Sequence, residues 1–397
     1  QTQAVGKMHA YPERSQMGFQ NVILHSALGI VRDARRRGLD PGLVDDFIPW
    51  LRERLGADAD PFDHGIDSRD STVARPWEKP EEYHYTNFTV TQSIEFLRRR
   101  DPRKPFFLFT SFNAPHPPFD PPRWAFEMYL HEQLPEPVVG EWAAAGAQGE
   151  PGAPGRLRPG LLRRAQAGYY GHITHVDHQI NRLLEPLAHY GVRENTFICF
   201  VSDHGEMMGD HRMFRKGVPY EGSARVPLIL SGPRESGLRR GAVVDQLVEL
   251  RDVFPTLLEC AGLPVPESVE GRSFLPLARG ETPAWREYLH GENVRGRQSV
   301  QWLTDGREKY IWFSGSGEEQ LFDLTRDPQE TVDLAARPQA RERVEHWRRL
   351  LIKELAGREE GFTDGTRLIP GRPVNPCLSH LRERPRSRER RDERIAP

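Results

Sequence analysis

Three short apolar runs, each breaking directly into a polar turn, limit what this chain can fold into. They are PFFLFTSF (Pro105–Phe112), TFICFVS (Thr196–Ser202) and VPLILSG (Val226–Gly232). Runs of this length, without polar alternation, are the signature of strands buried on both faces. Helical stretches separate them, so the pattern predicts an α/β domain with a sheet covered by helices. The clearest helix spans Pro159–His189. There Leu162, Ala165, Tyr169, Ile173, Val176, Ile180, Leu183 and Leu187 recur at steps of three or four. Pro159 suits the first turn and Gly191 the stop. Before this helix, AAAGAQGEPGAPG (residues 143–155) is small and Gly/Pro-rich, and is predicted as a loop or insertion.

After Gly271 the texture changes. REYLHGEN, SVQWLT, REKYIWFS and EQLFDL read as four short strands, with Asp305-Gly306 as a hairpin turn between the second and third. A helix over about Pro338–Leu355 places Val344, Trp347, Leu351 and Leu355 on one face. The expected organisation is a catalytic α/β domain over residues 1–272, a small antiparallel subdomain with one helix over 273–357, and an extension over 358–397. The extension ends in LRERPRSRERRDERIAP, a mixed-charge run with no apolar face, predicted disordered.

The formal net charge is -2, which argues against a general nucleic-acid or membrane-surface binder. No run approaches the roughly 18 apolar residues of a membrane span. Cys199, Cys260 and Cys377 are far apart and show no metal or redox spacing. The chain begins at Gln1 with no signal peptide in view, so the compartment is unknown and the expectation is a start inside a longer protein.

In open sheets, ligands bind beyond the carboxyl ends of the strands. Asp203 and His204 follow FICFV at such an end, and a carboxylate beside an imidazole suits half of a metal site. The blander alternative is an Asp that caps a turn and a polar loop His. Gly205 lets the chain turn away. Lys216, in FRKG, is placed to fold back over the same edge as a point charge for an anion, or is an ordinary surface lysine. His211 is a possible substrate contact or a solvated loop residue. His116, in FNAPHPP, follows another apolar run between prolines that fix its backbone, and suits a general acid or a packed turn histidine. Lys7 and His9, in VGKMH, share a face if extended and offer two donors to an oxyanion. In HITHVDH, His172, His175 and His178 spread around their helix and read as structural rather than as one zinc site.

VGKMH, NAPHPP, SDHGEMMGDHRMFRKG, YEGSARVPLIL, LRDVFPTLLECAGLP and LFDLTRDPQETVDL, in this order, resemble the type I, formylglycine-dependent sulfatases of the alkaline phosphatase superfamily. The resemblance runs to about Leu355. It implies an alkaline-phosphatase-like α/β core with a large sheet sandwiched by helices, and a C-terminal four-stranded antiparallel subdomain. It implies hydrolysis of a sulfate monoester of a sugar or small organic molecule. The cofactors implied are formylglycine and one divalent ion, Ca²⁺ ahead of Mg²⁺ or Mn²⁺. By similarity Asp203 and His204 are metal ligands, and Lys7 and Lys216 bind sulfate oxygens. His9 contacts the formylglycine hydrate and assists release of the sulfated intermediate. His116 binds sulfate and protonates the leaving oxygen. Each role matches the side chain's chemistry.

The chain departs from the family in one respect. It contains no C-x-[PA]-[SA]-R stretch, from which formylglycine is made, and no aspartate pair ahead of one. Asp45-Asp46 comes after GKMH and is expected on a helix surface. The nucleophile is therefore expected outside these residues, and the chain as given inactive. His204 stands where many sulfatases carry an amide. An Asp-His pair also occurs in the related phosphonate monoester hydrolases and phosphodiesterases, which form the alternative, with a non-catalytic fragment as a third. Trp77–Asn87 is a candidate specificity loop. His84, Tyr85 and Arg123 are possible contacts, each expected to be structural.

Overall fold

The computed structural model describes residues 1–374 apart from 27, 62, 64, 66–71, 144–158 and 297. The Gly/Pro-rich stretch from residue 144 on, Cys377 and the charged tail lie outside the described residues. In chain order the elements are β1 (Thr2–Gly6), β2 (Asn21–Leu24), α1 (Leu28–Arg36), α2 (Phe47–Leu55), α3 (Tyr85–Arg99), β3 (Phe107–Ser111), α4 (Arg123–Leu130) and α5 (Pro159–His189). There follow β4 (Ile198–Val201), α6 (Glu221–Ala224), β5 (Leu228–Ser231), α7 (Val253–Cys260) and α8 (Leu275–Arg279). The last third holds β6 (Leu289–Arg295), β7 (Gln298–Thr304), β8 (Glu308–Phe313), β9 (Glu319–Asp323) and α9 (Arg341–Glu354).

The strands form a parallel sheet in the order β2-β1-β3, an antiparallel β4–β5 pair and an antiparallel meander β6-β7-β8-β9. The α/β class and the C-terminal four-stranded sheet are as expected. The apolar runs are less enclosed than their composition suggests. Phe107 is 42% exposed, Phe109 40%, Phe200 40% and Ile229 60%. Among the described residues β3 pairs only with β1, and β4 only with β5. Alternate side chains of a strand point to opposite faces, so one face of each run stays open here.

β1 is buried along Gln3–Gly6. Val31, Phe47, Ile48, Leu51, Tyr85 and Phe88 form the cluster at its flank. α3 starts where the His84 ring accepts the Thr86 N–H at 3.1 Å, an N-cap made by an imidazole. α5 runs over the expected residues, but its buried stripe is rotated. Ile173 is 42% exposed, while His172, His175 and Gln179 are buried. Hydrogen bonds explain the rotation. His172 Nε2 accepts the Asp120 N–H at 3.1 Å, and His175 Nε2 lies 2.8 Å from Asn87 Oδ1. These bonds offset the desolvation of the two Nε2 atoms, while His172 Nδ1 and His175 Nδ1 are buried without a hydrogen-bond partner among the described residues. The three histidines thus go to separate partners, with His178 against Trp124.

Asp45 corrects the sequence expectation. It is fully buried, not surface. Its carboxylate accepts the N–H groups of Ser26 and Ile48 and faces His25 Nδ1 at 3.1 Å. Asp46 precedes α2 and pairs with Arg14 at 2.7 Å.

The C-terminal sheet is covered on both faces. On one, Val344, Trp347, Leu351 and Leu355 pack against Leu303, Tyr310, Trp312 and Leu321. On the other, Val300, Ile311 and Phe322 pack against Met207, Met213, Val218 and Tyr220. The second contact joins the sheet to the loop after β4. Burying each large apolar side chain contributes about 1.5–3 kcal/mol.

Candidate active site

Three strands deliver the site from their carboxyl ends. β1 ends at Gly6, whose φ is +101°, and a Cβ there would sit 1.8 Å from the Ser111 carbonyl oxygen. Only glycine allows β1 to run that close to the end of β3. Lys7 N–H donates to the same carbonyl at 3.1 Å, so Lys7 is held in line with the ladder. Its side chain, 9% exposed, crosses to Asp203 Oδ2 at 2.8 Å. β4 supplies Asp203 and His204. The chain then leaves through Gly205, whose N–H donates to the Ser223 carbonyl at 2.8 Å and where a Cβ would meet the Gly222 carbonyl at 2.2 Å. β3 leads into Asn113–Pro118, where the His116 N–H donates back to the Asn113 carbonyl at 2.9 Å.

The side chains meet. Lys216 Nζ donates to His116 Nε2 over 2.9 Å. The His116 and His204 ring centres are 6.2 Å apart. His204 Nε2 lies 3.7 Å from Asp203 Oδ1. His116 Nδ1 and His204 Nδ1 each lie 2.8 Å from a carbonyl, of Pro117 and Gly205. A carbonyl can only accept, so Nδ1 carries the hydrogen in both rings and Nε2 presents its lone pair when the ring is neutral. Lys7, Asp203, Lys216 and His204 all act electrostatically on His9.

The protonation states follow. Burial, then the Lys216 charge, pushes His116 down to about 3. Burial also lowers His204, helped by Lys216 and Lys7 and opposed by Asp203. His9 is lowered by burial and by Lys7. Burial pushes the Asp203 carboxyl up, but the Lys7 hydrogen bond and charge outweigh it and hold it below the usual range. Near neutral pH the edge therefore presents cationic lysines, one carboxylate and neutral imidazoles.

The donor chemistry fits part of one divalent ion's shell. Asp203 Oδ1 and His204 Nε2 are both lone-pair donors on one edge, while Lys7 occupies Oδ2. His84, Asp120 and His172 also bring three ligand-type atoms together within 4.8 Å, all buried. Their lone pairs are engaged, however. His84 Nδ1 caps α3, His172 Nε2 accepts from Asp120 N–H, and Asp120 Oδ1 accepts from Tyr85 OH at 2.9 Å. An ion there would have to break these bonds, so this group is read as a buried structural network.

A family profile described as Sulfatase matches residues 1–263. The chain belongs to the sulfatase family. A second profile, described as the C-terminal part of N-sulphoglucosamine sulphohydrolase, matches residues 209–356. An arylsulfatase of Clostridium perfringens is 47% identical over 392 residues, a match covering 96% of this chain and 80% of that protein. A multifunctional alkaline phosphatase superfamily protein, PehA, of Trinickia caryophylli is 32% identical over 302 residues, covering 66% of this chain but only 58% of its own length. The phosphonate monoester hydrolase of Agrobacterium radiobacter superposes with a TM-score of 0.68 at 23% identity, over 89% of this chain and 77% of that one, which speaks for the fold alone.

The structure of this sulfatase-family chain brings together Lys7, His116, Asp203, His204 and Lys216, with His9 in their field. His211 is neither a substrate contact nor solvated. It is 3% exposed, packs against Trp142 with ring centres 4.7 Å apart and accepts the Gly140 N–H on Nδ1 at 3.1 Å. His84 and Tyr85 are buried in the network above, and Arg123 lies on the surface 3.5 Å from Glu127. Sequence reasoning missed Glu206. Its carboxylate accepts the N–H groups of Met208 and of Arg215, the residue before Lys216. Met208, His211, Arg212 and Arg215 all have positive φ, at about 1–2 kcal/mol each. Glu206 holds that strained loop closed. Its only signal in the sequence was an acid directly after DHG.

Proposed function

We propose that this sulfatase-family chain carries one side of the active site of a sulfuric ester hydrolase acting on a sulfate monoester of a sugar or small organic molecule. The observation that supports this is the convergence of Lys7, His116, Asp203, His204 and Lys216 at the carboxyl ends of three strands. Asp203 and His204 would hold a divalent ion, Ca²⁺ first, with Mg²⁺ or Mn²⁺ as alternatives. When bound, the ion supplies positive charge to the sulfate oxygens and to the nucleophile. The 397 residues hold no C-x-[PA]-[SA]-R stretch, so the formylglycine nucleophile is proposed to come from outside them.

This chain's own residues do the rest. Lys7 neutralises Asp203 and presents its ammonium to a sulfate oxygen. Lys216 binds a second oxygen. In the free site Lys216 Nζ holds the proton and His116 Nε2 accepts it. A bound anion brings negative charge to His116 and raises its proton affinity. His116 then takes up a proton at Nε2 from solvent, Lys216 remaining an ammonium on the sulfate, and passes that proton to the leaving oxygen. His9 stands by for the second half of the cycle.

A phosphonate monoester or phosphodiester hydrolase is the second reading, favoured by the imidazole of His204 in place of an amide. Turnover of 4-nitrophenyl sulfate and of a 4-nitrophenyl phosphodiester by the natural full-length polypeptide separates the two. Faster cleavage of the sulfate is expected, and faster cleavage of the diester would overturn the first reading.

A further inference from the structure

The stretch directly after Lys216 is tied to the C-terminal sheet residue by residue. The Gly217 carbonyl accepts from Asn293 Nδ2 on β6 at 2.8 Å. Val218 packs against Val300, Ile311 and Phe322. The Pro219 carbonyl accepts from Lys309 Nζ on β8 at 2.8 Å. Tyr220 OH donates to Gln320 Oε1 on β9 at 2.8 Å. Glu221 meets Lys309 at 2.7 Å, and its N–H donates to Glu330 Oε2 at 2.7 Å.

Lys309 is 1% exposed and also pairs with Glu330, equally buried, at 2.8 Å. A buried cation between two carboxylates is fixed in place, because moving it out of their reach leaves an unpaired buried charge. β8 therefore presents a rigid anchor at Pro219 and Glu221. Asn293 adds a second anchor two residues earlier, on the carbonyl of the residue that follows Lys216. The Lys216 main chain is then held from both sides, by Glu206 through the Arg215 N–H and by Asn293 through the Gly217 carbonyl.

The geometry points to Asn293 as a positioning residue for Lys216: through the Gly217 carbonyl, the C-terminal sheet sets where the Lys216 ammonium meets His116. Asn293 touches no reacting atom. Misplacing a binding group by about 1 Å costs on the order of 100-fold in rate. The proposal rests on the assigned role of Lys216, and its test is arranged so that the two can fail separately.

Asn293→Asp keeps the shape and puts an acceptor where the donor stood. In the folded full-length protein, the ¹⁵N shift of His116 Nε2 reports the Lys216 hydrogen bond without any turnover. Asn293→Asp is expected to move that signal in the same direction as Lys216→Met. An unmoved signal in Asn293→Asp, with a clear change in Lys216→Met, overturns the proposal. In kinetics, Asn293→Asp is expected to lower kcat/KM for 4-nitrophenyl sulfate about 10- to 100-fold in the wild-type background, and to add nothing in the Lys216→Met background. Equal losses in both backgrounds mean that Asn293 acts independently of Lys216 and also overturn it. Absence of sulfate-ester turnover by the wild type defeats the functional reading, while the His116 signal still decides this one.

Discussion

Lys216 Nζ and His116 Nε2 are 2.9 Å apart although 100 residues separate them in the chain. Two potential cations are thus kept at hydrogen-bond distance by sharing one proton. The carbonyl of Pro117 holds the Nδ1–H and burial disfavours the imidazolium, so the proton sits on the lysine.

Removing either partner has different consequences. Lys216→Met is expected to lower kcat/KM about 10²- to 10³-fold for every sulfate ester, since it deletes a charged donor to the oxyanion. His116→Ala is expected to slow esters of poor leaving groups by about 10²- to 10⁴-fold and 4-nitrophenyl sulfate much less. Steady-state kinetics on alkyl and aryl sulfates checks both, and equal losses for His116→Ala on the two substrates exclude a general-acid role.

Asp203 pairs with Lys7 through one oxygen and faces His204 with the other. Asp203→Asn keeps the shape and removes the charge. Calcium and manganese affinity, measured by calorimetric titration, is expected to fall at least about 10-fold. Unchanged affinity removes Asp203 from the metal site.

His211 links acid sensitivity to the site loop. Burial lowers its pKa to about 4 in the folded chain, against 6.5 for the free side chain. The unfolded chain therefore binds the extra proton between those values, and the folded state loses stability as pH falls through that window. His211→Asn replaces the Nδ1 acceptor with an amide oxygen and does not titrate. The gap between wild-type and variant urea midpoints is expected to shift in the variant's favour between pH 7.5 and pH 5. A gap that stays constant with pH rules out this contribution.

Gly6→Ala combines a positive φ with a contact no Cβ can make, 1.8 Å from the Ser111 carbonyl. A loss of about 2 kcal/mol or more is expected in chemical denaturation. Wild-type stability in this variant means that β1 and β3 do not approach as described.

Much of this was legible along the chain. The strand runs, the span of α5, the hairpin at Asp305-Gly306 and the face of α9 were all visible as local pattern. The positions of Lys7, His116, Asp203, His204 and Lys216 after strands or in a glycine-bearing loop were visible too, but the roles proposed for them came from the resemblance to the family. Asp45, His211 and the stripe of α5 were not. A polar side chain reads as exposed until its hydrogen-bond partner is known, and those partners are Ser26, Gly140, Asp120 and Asn87, distant or on other segments.

The sequence by itself determined which short segments become strands and helices and which chemical groups stand at their ends, because periodicity, glycine and proline act within a few residues. Only the tertiary structure decided that Lys7 neutralises Asp203, that Lys216 gives its proton's hydrogen bond to His116, and that Asn293 of the C-terminal sheet holds the loop between them. Those pairings depend on ladder register and on packing between segments up to 196 residues apart. No local pattern records such contacts, because their free energy exists only once the chain has closed around them.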